Sequence, residues 1–194
     1  MQSKLQEVVL IRHGETEWTK NGQHTSFTDL DLTENGKVQA KKVKTRIEGR
    51  SFAKVFCSPL KRAKQTCEIC GLLDQAEILP DLTEWNYGKY EGITTVEVRK
   101  THQDWLLWTH GAPGGESPEQ VAKRANNVIE KILSAGDDVA IFSSGHFMRM
   151  LITRWLELPP IEGRRFYLST ASYSLLGFER EIRVVKTLND TSHC

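Results

Sequence analysis

The sequence has no excess of charge, no long apolar run and little cysteine. Its 194 residues contain 26 Lys and Arg against 25 Asp and Glu, which leaves a net charge of +1. Such a balance gives no electrostatic reason to expect a nucleic-acid or membrane-surface partner. No window approaches about 18 uncharged apolar residues, and the N-terminal segment lacks the apolar core of a signal peptide. We therefore expect a cytoplasmic protein.

The cysteines form no pattern typical of a disulfide framework. Cys57 lies in a strand-like segment, and Cys194 is the last residue. Cys67 and Cys70 have the spacing of a redox pair but lie deep in a predicted helix, so buried thiols are the simpler interpretation. The histidines lack the spacing of a metal site, and we expect neither a metal nor another cofactor.

The sequence does contain alternating strand and helix patterns. Strands are predicted at four apolar segments, Val8–Ile11, 53–57, 77–79 and 138–144, and a hairpin is predicted at 173–185. Helices are predicted to begin after Thr33, at Ser58-Pro59, at Ser117-Pro118 and at Phe147, the last of these ending near Leu158. Residues 17–29 follow neither period and are predicted to be a functional loop. This alternation predicts an α/β fold over residues 1–194 as one domain, a three-layer α/β/α sandwich whose sheet is mostly parallel with one antiparallel strand.

Two of these strands end in a histidine beside a glycine. Arg12, His13 and Gly14 follow the first strand, and Gly145 and His146 follow the strand at 138–144. Open α/β sheets place their chemistry at this carboxyl edge. A surface turn after a core strand is the alternative interpretation of either signal taken alone.

Two further residues are expected near the same edge. Arg62 falls in the first turn of its predicted helix, where an anion would meet a guanidinium and the positive end of the helix dipole. Glu84 lies in an aromatic and acidic segment, 81–92, whose composition suits the lining of a cleft. A general acid here needs a raised pKa, for which burial and a nearby Glu15 are the expected causes.

Together these residues fit phosphoryl transfer through a phosphohistidine. A neutral His13 offers a nitrogen nucleophile, and Glu84 can protonate the leaving alkoxide and then activate water. Arg12, Arg62 and a protonated His146 would neutralise the phosphoryl oxygens.

The sequence resembles the histidine phosphatase superfamily, in its phosphoglycerate-mutase-like branch, over essentially its whole length. Five motifs in chain order carry the resemblance. They are Leu10-Ile11-Arg12-His13-Gly14-Glu15-Thr16, Ser58-Pro59-Leu60-Lys61-Arg62-Ala63-Lys64-Gln65-Thr66, Leu82-Thr83-Glu84 with Tyr87-Gly88 and Glu91-Gly92, Gly114-Gly115-Glu116-Ser117, and Ser144-Gly145-His146. The resemblance implies that His13 is the phosphorylated nucleophile, that Arg12, Arg62 and His146 hold the phosphate, and that Glu84 is the proton donor. It also implies a substrate pocket lined by Thr19, Gln23, Thr25, Ser26, Tyr87 and the backbone of Phe147.

Hydrolysis is favoured over the mutase reaction. The mutase members carry a longer insert with added arginines after the acidic loop, whereas the segment between Glu84 and His146 is short and has few basic residues. Residues 17–23, with residues 28–30, are similar to the sugar-phosphatase group that includes fungal sedoheptulose-1,7-bisphosphatase. Thr19 stands where the mutase pattern has asparagine. We expect a phosphomonoester hydrolase whose partner is a small phosphorylated substrate such as a sugar phosphate.

Three other functions stay open on the sequence alone. They are a cofactor-dependent phosphoglycerate mutase, a phosphate-binding regulatory protein without significant turnover, and a phosphoprotein phosphatase. The oligomeric state is equally open, because the hairpin at 173–185 can either pair with a second copy or end the sheet.

Overall fold

In the computed structural model, which describes residues 5–194, the middle layer is a six-stranded sheet. Its strands are β1 (Val8–Arg12), β2 (Lys54–Cys57), β3 (Ala76–Ile78), β4 (Val139–Ser143), β5 (Tyr173–Glu179) and β6 (Ile182–Asp190). The strand order is β3-β2-β4-β1-β5-β6. All neighbours are parallel except the two pairs that include β5. The prediction of one antiparallel strand is therefore confirmed.

Helices cover both faces of this sheet. They are α1 (Glu17–Asn21), α2 (Glu34–Ile47), α3 (Lys61–Ile69), α4 (Thr95–Thr101), α5 (Leu107–His110), α6 (Pro118–Ala135) and α7 (Gly145–Trp155). Apolar residues of α2 and α3 form one core cluster with one side of the sheet, here named the α2–α3 face. Apolar residues of α6 and α7 form a second cluster on the opposite side, the α6–α7 face. The predicted three-layer architecture is confirmed.

The apolar run of β1 is explained by burial on both sides. Val8 and Leu10 pack on the α6–α7 face, and Val9 and Ile11 pack on the α2–α3 face. A strand covered on both faces needs apolar residues at every position, because successive side chains point in opposite directions. Within residues 5–194, none of the helices is both long enough and apolar enough to cross a membrane.

Some predicted boundaries are wrong. The segment 17–29 is not wholly a loop, because α1 forms within it between a reciprocal cap at Thr16 and a left-handed Gly22. Ser58-Pro59 does not begin α3, whose N-cap is Leu60. The predicted caps Thr33 and Ser117 are confirmed by side-chain hydrogen bonds to backbone amides.

The start of α7 is the boundary with most consequence for the site. This helix begins at Gly145, two residues before the predicted Phe147, and ends at Trp155 and not at Leu158. His146 is therefore in the first turn of a helix and not on the strand edge itself.

The segment after β1 crosses the first turn of α2 with the two backbones in contact. A Cβ atom added to Gly14 would lie 2.4 Å from the carbonyl oxygen of Gly36, and one added to Gly36 would lie 2.2 Å from that of Glu15. Both distances are far shorter than any real Cβ contact, so neither position has space for a side chain. This crossing fixes the chain directly after His13.

Substitution of Gly36 by alanine tests the crossing. Alanine is normally the better helix former, but Gly36→Ala should lower the free energy of unfolding by about 3 kcal/mol, because the methyl group must push two backbones apart. Urea denaturation measures the change. Gly22→Ala is the control, since Gly22 has a φ of 73° with nothing within 4 Å and should lose only about 1 kcal/mol. Equal losses would contradict the tight crossing.

Candidate active site

His13 lies one residue beyond β1, at the carboxyl edge of the sheet. Its N–H donates to the carbonyl oxygen of Ser143 at 3.0 Å, and its side chain is buried. Nδ1 lies 2.7 Å from the carbonyl oxygen of Gly14. Because a carbonyl can only accept, Nδ1 carries the proton of this bond. In the neutral ring the lone pair is then on Nε2.

The charge state of this ring follows from its surroundings. Burial lowers the pKa of His13 well below its ordinary value of 6.5, and the positive charges of Arg62 and Arg12 lower it further. The hydrogen bond to Gly14 acts in the opposite direction and is the weaker cause. The imidazole is therefore neutral at neutral pH, which is the form that a nitrogen nucleophile requires.

Arg62 is buried and Arg12 is half-buried, and the charges of both act on this ring. Arg12 donates from Nη1 to the carbonyl oxygen of Leu168. Arg62 donates from both Nη atoms to three carbonyl oxygens within residues 25–28. The Nε atoms of both arginines are buried and make no hydrogen bond within residues 5–194. Two oriented guanidinium groups thus each retain a donor at the place where the sequence predicts a phosphate.

The carboxylate of Glu84 is bound by backbone amides. It accepts from the N–H of Trp85 at 2.9 Å, of His146 at 3.0 Å and of Phe147 at 2.7 Å. The last two amides belong to the first turn of α7, where the helix dipole favours a negative charge. These bonds join the segment of Glu84 to the end of β4.

Among the negative groups around Arg12 and Arg62, Glu84 has the largest electrostatic effect on the pKa of both arginines. Burial lowers the pKa of Arg12 and of Arg62, and the attraction of Glu84 acts against that lowering. Glu15, which the sequence analysis expects beside Glu84, lies elsewhere: its carboxylate accepts from Thr33 and from a second side chain at the start of α2. That expectation is wrong because Glu15 turns outward toward α2.

Arg124 supports the segment of Glu84 from behind. Its Nε and Nη2 form a two-pronged ion pair with Glu116 at 2.7 and 2.8 Å. Its Nη1 donates to the carbonyl oxygens of Asp81 and Thr83 at 2.6 and 2.9 Å, and Nη2 reaches that of Glu84 at 3.4 Å. Sequence reasoning missed this role, because a basic residue on an amphipathic helix gives no sign of which carbonyl groups it will meet.

His146 is held by an aromatic neighbour. Its Nδ1 lies 2.6 Å from the hydroxyl oxygen of Tyr87, and its ring is tilted against that of Trp108, with the ring centroids 5.9 Å apart. Burial lowers the pKa of His146 well below its ordinary value, and the charge of Arg149 lowers it further. The expectation of a protonated His146 therefore does not hold for the protein by itself, although an anion against the ring would favour the charged form.

A pocket of about 220 Å³ opens above these groups. Its walls include four of the predicted substrate-binding residues, Thr19, Gln23, Thr25 and Tyr87. They also include five residues that the sequence analysis did not select: His24, Thr95, Arg149, Tyr167 and Leu168. Arg149 could have been found, because it lies three residues after His146 and so shares its side of α7.

Two predicted substrate-binding groups are engaged in other contacts. The hydroxyl of Ser26 donates to the carboxylate of Glu91, and its N–H donates to the same group at 2.9 Å. The N–H of Phe147 is the donor to Glu84 described above. Neither residue lies among the walls of the pocket.

The cysteines agree with the simpler interpretation. All four are free, and Cys57, Cys67 and Cys70 are buried. Burial raises the pKa of Cys70 to about 12, so its thiol stays protonated and unreactive at neutral pH. Within residues 5–194, no group of three or more His, Cys, Asp or Glu side chains is placed to hold a metal ion.

Comparison with known proteins identifies the family. The model of the histidine phosphatase superfamily, branch 1, matches residues 8–191. An acid phosphatase of Mycobacterium tuberculosis is 42% identical over 195 residues, which covers 96% of this chain and 93% of the relative. Sedoheptulose 1,7-bisphosphatase of Saccharomyces cerevisiae is 30% identical, with 81% of this chain and 70% of the relative covered. A solved structure of an open reading frame product of Mycobacterium tuberculosis has a TM-score of 0.91 and 40% identity, covering 95% of this chain and 97% of that one.

The α/β/α fold with its buried histidine at a strand end thus defines a phosphatase-like protein. The chain belongs to the histidine phosphatase superfamily, branch 1. The resemblance on which the sequence analysis depends is confirmed, and so is the phosphoglycerate-mutase-like fold.

Replacement of Arg124 tests the support of Glu84. Arg124→Gln should lower kcat about tenfold and change KM little, because the variant loosens the Glu84 segment without touching the pocket walls. Steady-state hydrolysis of p-nitrophenyl phosphate measures both constants. Lys123→Gln is the matched control: it removes one positive charge from the neighbouring exposed position of α6 and should leave both constants unchanged. A normal kcat for Arg124→Gln would contradict the supporting role.

Proposed function

We propose that this protein hydrolyses small phosphomonoesters through a covalent phosphohistidine at Nε2 of His13. The observation that carries the proposal is the state of the imidazole: it is buried, neutral and tied through Nδ1 to Gly14, with the buried Arg62 and the half-buried Arg12 beside it. A nitrogen lone pair next to two fixed cations is matched to an electrophilic phosphoryl group, whose charge is spread over its peripheral oxygens.

The first half-reaction transfers the phosphoryl group to the protein. Nε2 of His13 attacks phosphorus, and the bond from phosphorus to the substrate oxygen breaks. Glu84, in its acid form, gives its proton to the departing alkoxide. Arg12 and Arg62 hold the phosphoryl oxygens through their remaining donors while the negative charge is transferred.

The second half-reaction regenerates the enzyme. Glu84, now a carboxylate, removes a proton from a water molecule that attacks the phosphohistidine. The phosphorus–nitrogen bond breaks, and the electron pair returns to Nε2 as inorganic phosphate forms. The same carboxyl group serves as acid and then as base, so a single residue at this place is sufficient.

The pocket supports a small substrate that carries polar groups besides its phosphate. Arg149, stacked on Trp108 and held by carbonyl oxygens of residues 163–164, adds a positive charge to the outer wall. Gln23 and Thr95 add hydrogen-bonding groups. The relatives named as an acid phosphatase and as sedoheptulose 1,7-bisphosphatase agree with hydrolysis of a small phosphorylated metabolite, and we propose sugar phosphates as the substrate class.

A phosphate-release screen with chelator present tests the reaction. Sugar phosphates should release phosphate, and phosphoglycerates and phosphopeptides should give lower rates. His13→Ala should reduce every rate at least a thousandfold, because the nucleophile is lost. This reduction corresponds to an increase of about 4 kcal/mol in the barrier. A rapid quench in alkali with labelled substrate, under which a phosphorus–nitrogen bond is stable, should trap label on the wild-type protein alone. Turnover by His13→Ala would overturn the mechanism, and isomerisation of phosphoglycerates that depends on a bisphosphate primer, with little phosphate release, would establish a mutase.

The pH dependence of kcat/KM follows from the lowered pKa of His13. Protonation removes the lone pair of Nε2, so activity falls only when the pH drops through the pKa of the folded protein. That pKa lies well below 6.5, and kcat/KM at pH 5.5 should therefore remain close to its value at pH 6.5. An acid limb with its midpoint near 6.5 would show that the imidazole is not shielded as the structure has it.

A further inference from the structure

We propose that Ser144 is a catalytic residue whose hydroxyl binds the phosphoryl group on His13. The inference depends on the proposed function, because it requires His13 to carry that group. Neither the family resemblance nor the named relatives give Ser144 a role, and the sequence predicts His146 as the residue that holds the phosphate on this side.

The register of two central strands brings Ser144 beside His13. β1 and β4 are parallel, and their last pair is Arg12 with Ser143. The N–H of His13 donates to the carbonyl oxygen of Ser143, which continues the parallel hydrogen-bond pattern beyond that pair. Ser144 has an extended backbone, with φ −117° and ψ 169°. One further step along both strands therefore places Ser144 next to His13, at the usual strand separation of about 5 Å.

The side chains of these two residues also share a face. Ile11 of β1 and Phe142 of β4 both pack on the α2–α3 face. Because side chains alternate along a strand, the residues two positions later, His13 and Ser144, point to that same side. Arg62 is presented from α3, the helix that covers this face. Imidazole, hydroxyl and guanidinium thus converge from three neighbouring elements.

The hydroxyl of Ser144 has no partner to satisfy it. Ser144 is fully buried, and its Oγ makes no hydrogen bond within the described part of the chain. It is the N-cap residue of α7 but makes no capping bond. The reason is visible in the structure: the amides that a serine cap would use, those of His146 and Phe147, both donate to Glu84.

A phosphoryl group would satisfy this hydroxyl together with two other donors. Buried polar atoms in folded proteins almost always have partners, so exceptions indicate a ligand or a functional site. The buried unpartnered atoms of the described residues include Oγ of Ser144, Nε of Arg12 and Nε of Arg62. Arg12 precedes His13 in the chain, Ser144 lies next to it in register, and Arg62 is presented from α3. Three donors match the three peripheral oxygens of one phosphoryl group.

His146, by contrast, faces the other side of the sheet edge. Its ring contacts Tyr87 and Trp108, which belong to the core cluster of the α6–α7 face. Arg149, which also lines the pocket, lies in the same region. The position next to the nucleophile therefore belongs to Ser144, and His146 lies toward the leaving-group part of the substrate.

Ser144→Ala tests the assignment with two readouts of opposite sign. Loss of the hydroxyl should lower kcat/KM about thirtyfold and raise the inhibition constant of orthovanadate about tenfold, because one phosphoryl-binding donor is gone. Loss of an unsatisfied buried group should leave the melting temperature unchanged or raise it. Ser144→Cys, which keeps a weak donor, should show intermediate kinetics.

The matched control is Ser174→Ala. Ser174 is also a buried serine of the sheet, but its Oγ accepts from the N–H of Asn189 at 3.0 Å. This variant should have a lower melting temperature and unchanged kinetics. Normal kcat/KM and normal vanadate inhibition in Ser144→Ala, with His13→Ala inactive, would overturn the role of Ser144 and leave the phosphohistidine standing. Activity in His13→Ala would instead overturn the proposed function on which the role depends.

Discussion

The hydrogen bonds from the first amides of α7 to the carboxylate of Glu84 are the interaction on which the rest of the site depends. They fix the acidic segment to the start of α7, and they bring a negative charge close to Arg12 and Arg62. They also remove the amides that Ser144 would otherwise cap. These bonds thereby fix the position of Glu84, place its charge near the arginines, and leave the hydroxyl of Ser144 without a backbone amide to accept from. Arg124 and Glu116 hold the same segment from the opposite side.

The sequence was informative wherever local chemistry decides the structure. Unbroken apolar segments predicted β1 and β4, and Thr33 and Ser117 predicted two helix starts, because a strand buried on both faces and a capped helix leave direct signs in neighbouring residues. The paired histidine–glycine steps located the edge at which the pocket forms. These signals need no knowledge of distant contacts.

What could not be predicted depends on register and on long-range contacts. The start of α7 shifted by two residues, and that shift moved His146 off the strand edge and left Ser144 there. A glycine followed by a histidine does not reveal which carboxylate caps the helix. That carboxylate belongs to Glu84, which lies 62 positions before His146 in the chain. Arg124 was missed for the same reason, since its five oxygen partners lie in segments that meet it only after folding.

The unpartnered donors around His13 lower the stability of the folded protein. Burying a guanidinium nitrogen or a hydroxyl without a partner destabilises the protein by roughly 1–3 kcal/mol per group. Arg12, Arg62 and Ser144 each carry such an atom. In the proposed mechanism, a transferred phosphoryl group accepts a hydrogen bond from each of these three atoms, and its charge opposes the burial that lowers the pKa of both arginines. On that proposal the arrangement is more complementary to the phosphoryl group in transfer than to water, and this difference lowers the barrier.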